Sequence, residues 1–126
     1  MMIQIEPDTD IPIYTQLTNQ IIEGIARGHI KPGDSLPSVR SFAADLGVNM
    51  HTVNKSYHEL EKKGIIQIVP KSGAVIIKHE GIDDVTYQKL KEDVKPHIAE
   101  AMVFGMTEED IQQLVKSIIV ELKEKN

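Results

Sequence analysis

Two short helical patterns separated by a three-residue turn, and followed at once by two β-branched runs, constrain this chain more than any other feature. The first pattern runs from Pro37 to Leu46, and the second runs from Asn49 to about Lys63. Gly47 is a suitable end for the first helix because glycine readily adopts the left-handed conformation found there. Asn49 can cap the second helix. The pattern therefore predicts a helix-turn-helix.

The β-branched runs predict a hairpin directly after the second helix. Residues 65–69 and 74–77 are rich in Ile and Val, and the turn-forming residues 70–73 separate them. Upstream, the pattern from Pro12 to Arg27 predicts another helix, and we expect a turn from His29 to Ser35. The sequence therefore predicts an α+β fold, in which residues 1–78 form a winged helix-turn-helix of three helices plus a β-hairpin wing.

Residues 79–126 are acidic and have helical spacing. They predict one helix from about Asp83 to Phe104, interrupted or bent near Pro96, and a last helix after Thr107, where residues 107–110 resemble a capping box. Each helix carries an apolar stripe that so short a tail cannot bury by itself. We therefore expect a two-helix dimerisation element whose contacts are Leu90, Val94, Ile98, Ile111, Leu114, Val115, Ile118 and Leu122.

The formal net charge of −5 is unevenly distributed along the chain. Residues 1–78 contain eight basic and eight acidic residues, whereas residues 79–126 contain six and eleven. Within residues 35–78 there are six basic and three acidic residues, a local excess of +3. A surface that faces phosphate groups is therefore possible on the predicted helix-turn-helix, while the tail would repel DNA.

Several classes of protein are disfavoured by the sequence. The chain has no cysteine, which removes disulfides and thiolate zinc sites, and its five histidines form no His-x-x-x-His pair. There is no catalytic triad arrangement and no phosphate-binding glycine loop. No apolar run approaches the roughly 18 residues of a membrane span, and the first residues do not resemble a signal peptide. We expect a cytoplasmic protein that is not an enzyme and needs no metal or cofactor.

An ordered series of motifs resembles the GntR family of bacterial regulators. The matching stretches are PIYTQL (12–17), IKPGDSLPSVR (30–40), AADLGVN (43–49), TVNKSYHELE (52–61) and GII (64–66). The short tail resembles the dimerisation element of the small YtrA-type branch, since other branches append a larger domain. The resemblance implies a homodimer that binds double-stranded operator DNA, usually as a repressor and often of a neighbouring transporter operon.

The predicted DNA contacts lie in both helices of the motif and in the wing. Arg40 matches the arginine that the family uses on DNA, and the first turns of the second helix would face the major groove. The wing offers a single lysine where the family's wing is commonly basic, so we expect a weaker wing contact. The full set is Ser38, Arg40, Asn49, His51, Thr52, Asn54, Lys55, Lys71, Ser72 and Gly73.

Two other functions remain open at this point. The winged domain could bind another protein, or the chain could be a switch with a small-molecule effector at a domain or dimer interface. Arg40 could also pair with Asp45 or another carboxylate instead of contacting DNA. The operator sequence does not follow from the resemblance, because Met50 and His51 occupy positions that vary in the family.

Overall fold

The computed structural model of the chain describes residues 2–124, so residue 1 and residues 125–126, the outer ends of the two predicted domains, lie outside the described part. Within it, the elements follow one another as α1 (Ile13–Ala26), β1 (Ser35–Leu36), α2 (Val39–Leu46), α3 (Met50–Lys62), β2 (Ile66–Val69), β3 (Gly73–Ile76), α4 (Asp84–Val103) and α5 (Glu108–Lys123). Contacts divide the chain into two units between Lys78 and His79. The predicted α+β class, a winged helix-turn-helix followed by two helices, is confirmed.

The sheet has three antiparallel strands in the order β1-β3-β2. β2 and β3 form the predicted hairpin, with Val69 opposite Gly73, so the loop consists of residues 70–72. The prediction of a turn through Ser35 was wrong at its end, because Ser35 pairs with Val75 and Leu36 pairs with Ala74. A two-residue strand has no periodicity of its own. It forms here because β3 offers backbone groups that need hydrogen-bond partners.

The core of the first unit lies between its three helices and one side of the sheet. The helical spacing explains which side chains enter it, because positions three and four residues apart lie on one face. Val53, Tyr57 and Leu60 of α3 are fully buried, as the sequence predicted. The buried apolar residues are Leu17, Ile21, Ile30, Leu36, Phe42, Ala43, Val53, Tyr57, Leu60, Ile66, Ala74 and Ile76.

An extended segment before α1 completes this core. Ile3 and Ile5 pack against it. Between them, the Gln20 side chain accepts from the Gln4 N–H at 2.8 Å and donates to the Gln4 carbonyl at 2.6 Å. Gln16 makes the equivalent pair of bonds to Glu6. Two glutamine amides on one face of α1 thus substitute for a neighbouring strand.

The second unit consists of α4 and α5. Of the predicted interruption or bend near Pro96, the interruption was wrong, since α4 runs through Pro96 to Val103, and the bend stays a prediction. Proline lacks an N–H and so removes one helical hydrogen bond, a loss that a 20-residue helix can accommodate. Neither helix contains a buried residue. Among the described residues, no helix is long and apolar enough to cross a membrane.

Candidate nucleic-acid interface

Helix α3 packs against the rest of the first unit by its buried face. Next to its apolar residues lies Ser56, whose hydroxyl is 2.8 Å from that of Thr18 in α1. The Thr18 hydroxyl also donates to the Tyr14 carbonyl at 2.7 Å. Both hydroxyl groups are buried and hydrogen-bonded, so the polar contact stabilises one position of α3 on α1 without an unsatisfied group. The opposite face of α3, which includes Asn54 and Lys55, is exposed.

Tyr57 joins α3 to the beginning of α2. Its hydroxyl donates to the Pro37 carbonyl at 2.6 Å, and burial raises the pKa of this hydroxyl above its ordinary value. The tyrosine is therefore a neutral hydrogen-bond donor at neutral pH. Because Pro37 precedes the first turn of α2, this bond positions Ser38 and Arg40 relative to α3.

Both helices of the motif have capped N-termini. The Asn49 side chain accepts from the His51 N–H at 2.8 Å, as predicted, and the Ser38 hydroxyl accepts from the Ser41 N–H at 3.2 Å. Each cap satisfies one of the backbone N–H groups that a helix leaves without a partner. Capping thus accounts for Asn49 and Ser38 in the folded chain, independently of any contact with DNA.

The wing packs closely against the backbone where β1 leads into α2. Gly73 is buried and has φ +106°, and a Cβ at this position would lie 2.1 Å from the Leu36 carbonyl oxygen. Only glycine allows this close approach of two backbones. At the hairpin turn, the Ser72 N–H donates to the Val69 carbonyl at 3.0 Å. Lys71 sits at the third position of that turn, with φ +67°.

These elements surround a groove of about 640 Å³ on the first unit, which we call the reading groove. Its lining comes from the start of α2, the start of α3 and the wing, and no lining residue is acidic. Within the described residues, Arg40 and Lys71 form no salt bridge, so the alternative pairing of Arg40 with Asp45 does not occur. The lining residues are Ser38, Val39, Arg40, Met50, His51, Asn54, Val69, Lys71 and Gly73.

A second groove, of about 400 Å³, lies where α1 begins beside α3. The Lys55 Nζ atom stands 3.9 Å from the centroid of the Tyr14 ring, a cation–π contact. His51 lines both grooves and so connects them. The second groove is lined by Pro12, Ile13, Tyr14, His51, Thr52 and Lys55.

The structure brings most of the predicted contact residues together. Six of them line the reading groove, and Thr52 and Lys55 line the second groove with His51. Asn49 and Ser72 line neither groove. Their contact with DNA stays a prediction, as does that of the other eight residues.

Sequence reasoning missed six residues of this surface. Val39, Met50 and Val69 line the reading groove, and Pro12, Ile13 and Tyr14 line the second one. They were left out because apolar and aromatic side chains at helical or strand spacing are more often part of a core. For Met50 a signal was present, since an apolar residue directly after a helix cap lies at the end of the helix, where burial is least complete.

The described residues contain no group of three or more His, Asp or Glu side chains that could hold a metal ion. The residues that line the two grooves offer cations, hydrogen-bonding groups and apolar contacts. Arg40 offers a planar fork that suits guanine or phosphate, and Asn54 can bond an adenine edge.

Comparison with known proteins identifies relatives over most of the chain. The family profile described as "Bacterial regulatory proteins, gntR family" matches residues 13–76. The HTH-type transcriptional repressor YtrA of Bacillus subtilis (strain 168) is 37% identical over 124 residues, which cover 97% of this chain and 95% of that protein.

Two solved structures resemble the fold over nearly their full length. A transcriptional antiterminator from Listeria monocytogenes EGD-e has a TM-score of 0.87 at 26% identity, covering 100% of this chain and 96% of that one. YtrA from Sulfolobus acidocaldarius, a GntR-family transcription factor, has a TM-score of 0.62 at 36% identity, covering 97% and 100%. All three proteins are named for roles in transcription and none as an enzyme, which confirms the regulatory class predicted from the sequence.

Proposed function

Because this chain belongs to the GntR family of bacterial regulatory proteins, we propose that it is a homodimeric repressor that binds operator DNA at its own or a neighbouring transporter operon. The observation that carries the proposal is the reading groove. Arg40, Asn54 and Lys71 reach it from three different elements, and no carboxylate lines it. Such a surface suits a polyanion whose base edges offer hydrogen-bond partners.

The charge pattern supports a DNA ligand more than a protein ligand. Besides Arg40, the exposed Lys55 and Lys71 supply two cations per subunit at the two grooves. If each lysine neutralises one phosphate, a dimer makes four such contacts, and the logarithm of the binding constant should fall with the logarithm of salt concentration at a slope of about −4. A protein-interaction module would not show so steep a dependence.

The homodimer is supported by the uncovered apolar faces of the second unit. Leu90 of α4 is 54% exposed, and Ile118 of α5 is 47% exposed. The other predicted contacts are exposed or partly buried. Leaving such faces in water is unfavourable by roughly 25 cal/mol per Å² of apolar surface. A second copy of the same unit would cover them and would hold two recognition helices about 34 Å apart, one turn of DNA.

Fluorescence anisotropy against fragments of the native promoter, repeated over a range of salt concentrations, tests DNA binding. We expect Arg40→Ala to weaken binding at least about fivefold, because a good bidentate contact contributes about 1–3 kcal/mol. Lys62→Ala is the matched control, since Lys62 ends the same helix about 18 Å from Met50. Binding that ignores salt, or an Arg40→Ala variant equal to the control, would favour the protein-module function.

Light scattering tests the dimer. The wild-type protein should have the mass of two chains at micromolar concentration, and Ile118→Asp should have the mass of one, because a charge on the apolar face opposes its burial. Gln113→Asp, an exposed substitution on the same helix, should leave the dimer intact. A monomeric wild-type protein would contradict the proposal.

One observation bears on an effector. A groove of about 470 Å³ on the second unit is lined by Tyr87, Leu90, Lys91, Val94, Lys95 and Ile98. Three of these residues belong to the predicted dimer face, so in our proposal the second subunit covers this groove. A thermal-shift screen of metabolites should be repeated with Ile118→Asp, the variant in which no second subunit covers the groove. A ligand of this groove would raise the melting temperature of the variant.

A further inference from the structure

Three apolar side chains line the reading groove, of which Val39 is partly buried and the other two are exposed. Met50, the first residue of α3, is 43% exposed, and Val69, the last residue of β2, is 40% exposed. Both line the groove together with Arg40 and Asn54. Neither side chain belongs to the core or packs against it.

The surroundings of this apolar pair restrict what can occupy it. Arg40, His51 and Lys71 line the same groove without any acidic residue, so the ligand that reaches Met50 should be an anion with an apolar group. Duplex DNA has that combination in its major groove, where the C5-methyl group of thymine is the apolar feature of the base edges. The first residues of a recognition helix are those that reach base edges.

We propose that Met50 and Val69 form a contact for the C5-methyl group of a thymine in each half-site, next to the base that Arg40 contacts. The inference rests on the proposed function and adds a base preference to it. Methionine suits the role because its flexible, polarisable side chain adapts to irregular apolar surfaces. Arg40 and Met50 would thus read neighbouring bases by different chemistry, one by hydrogen bonds and the other by apolar contact.

The size of the effect follows from the group involved. Burying one methyl-sized group contributes about 0.8 kcal/mol, which corresponds to about a fourfold change in affinity. Removal of the methyl group from one half-site should therefore weaken binding about fourfold. Removal from both half-sites should weaken it about 16-fold, because changes at well-separated positions are roughly additive.

The test uses the full chain and a duplex selected by it from a randomised pool. Each thymine of that duplex is replaced in turn by deoxyuridine, which lacks the methyl group and keeps the hydrogen-bonding groups. We expect one position per half-site at which the wild-type protein loses about fourfold in affinity. Met50→Ala should bind the thymine duplex more weakly and should bind the thymine and uracil duplexes equally well. Met102→Ala, an exposed methionine of α4, is the matched control and should retain the wild-type difference.

The possible failures are distinguishable. If a duplex is selected but no single uracil weakens binding more than twofold, or if Met50→Ala keeps the wild-type sensitivity, the methyl contact is wrong and DNA binding stands. If no duplex is enriched, the proposed function is overturned together with this inference. Circular dichroism of Met50→Ala should match wild type, because the residue is exposed and alanine favours helix.

Discussion

Lys71 is the one residue other than glycine with a positive φ among residues 2–124. It occupies the third position of a turn that resembles type II, where glycine is favoured because it has no Cβ. A lysine held there costs about 1 kcal/mol or more of backbone strain. Strain of this kind at an exposed position leads us to predict that the ammonium group contacts a ligand.

We predict that Lys71→Gly separates stability from DNA binding. The free energy of unfolding should stay equal or rise by up to about 1 kcal/mol, because glycine relieves the strain but gains freedom in the unfolded chain. The salt slope of DNA binding should decrease by about 1 for each half-site. Urea unfolding and anisotropy measure the two effects. Lys71→Arg should retain the slope, and an unchanged slope in Lys71→Gly would exclude a phosphate contact.

The contact between Lys55 and Tyr14 predicts that the tyrosine positions a phosphate-binding cation. A cation–π contact at an exposed site is worth about 0.5–1 kcal/mol. Tyr14→Leu and Lys55→Met should each lower the affinity for DNA. The affinity of the double variant should equal that of Lys55→Met. Tyr14→Phe should bind as wild type because its ring remains. Losses that simply add in the double variant would show that the two residues act independently.

Among the elements, the wing depends most on a single residue. We predict that Gly73→Ala lowers the free energy of unfolding by about 2–4 kcal/mol, because the new Cβ meets the Leu36 carbonyl oxygen and φ is positive. Gly33→Ala is the matched control, since φ is +90° there and nothing lies within 4 Å. Chemical denaturation measures both. Equal losses would mean that backbone strain alone explains the effect, and not the contact with Leu36.

The beginning of α5 predicts a pH dependence that is local to one helix. Thr107 and Asp110 form a capping box. The hydrogen bond that the Thr107 backbone N–H donates to the Asp110 carboxylate is the main cause that holds the pKa of this carboxyl below its ordinary value, and a bond with the Thr107 side chain lowers the pKa further. A lowered pKa means that the carboxylate stabilises the helix above about pH 4 and that this contribution is lost as the pH falls through the folded pKa. The hydrogen bond from the Thr107 N–H to the Asp110 carboxylate should therefore persist at pH values where an ordinary aspartate is already protonated.

The amide proton of Thr107, followed by NMR against pH, checks this expectation. Its chemical shift should titrate with a midpoint below the ordinary aspartate pKa of about 3.9. In Asp110→Asn, which still offers an oxygen acceptor but does not titrate, the transition should disappear. A wild-type midpoint at or above the ordinary value would contradict the capping box.

Among residues 2–124, the buried apolar core lies within the first unit, and the net negative charge of the sequence lies in the second unit. We predict that residues 1–78 alone fold cooperatively, with a melting temperature within about 10 °C of the full chain at a concentration where the full chain is monomeric. The fragment of residues 1–78 should be monomeric. It should bind the operator at least about 100-fold more weakly than the dimeric full chain, because linking two binding sites raises the effective concentration of the second site. Calorimetry and anisotropy measure the two properties. A piece that fails to unfold cooperatively would show that the second unit contributes to the core.

The sequence by itself determined the features that depend on neighbours along the chain. Helical spacing identified the buried face of α3, and the caps at Asn49 and Thr107 were read from local residue preferences. The hairpin of β2 and β3 followed from β-branched runs with turn residues between them. These interactions span at most a few residues, so composition and spacing suffice to predict them.

The tertiary structure decided the features that join distant parts of the chain. β1 exists because β3 pairs with it about 40 residues later, and the Tyr57 hydroxyl reaches Pro37 across 20 residues. The reading groove is likewise assembled from α2, α3 and the wing, which is why Val39 and Val69 could not be assigned to it beforehand. Whether an apolar side chain at one position is buried or exposed depends also on what the folded chain places opposite it, and local spacing contains only part of that information.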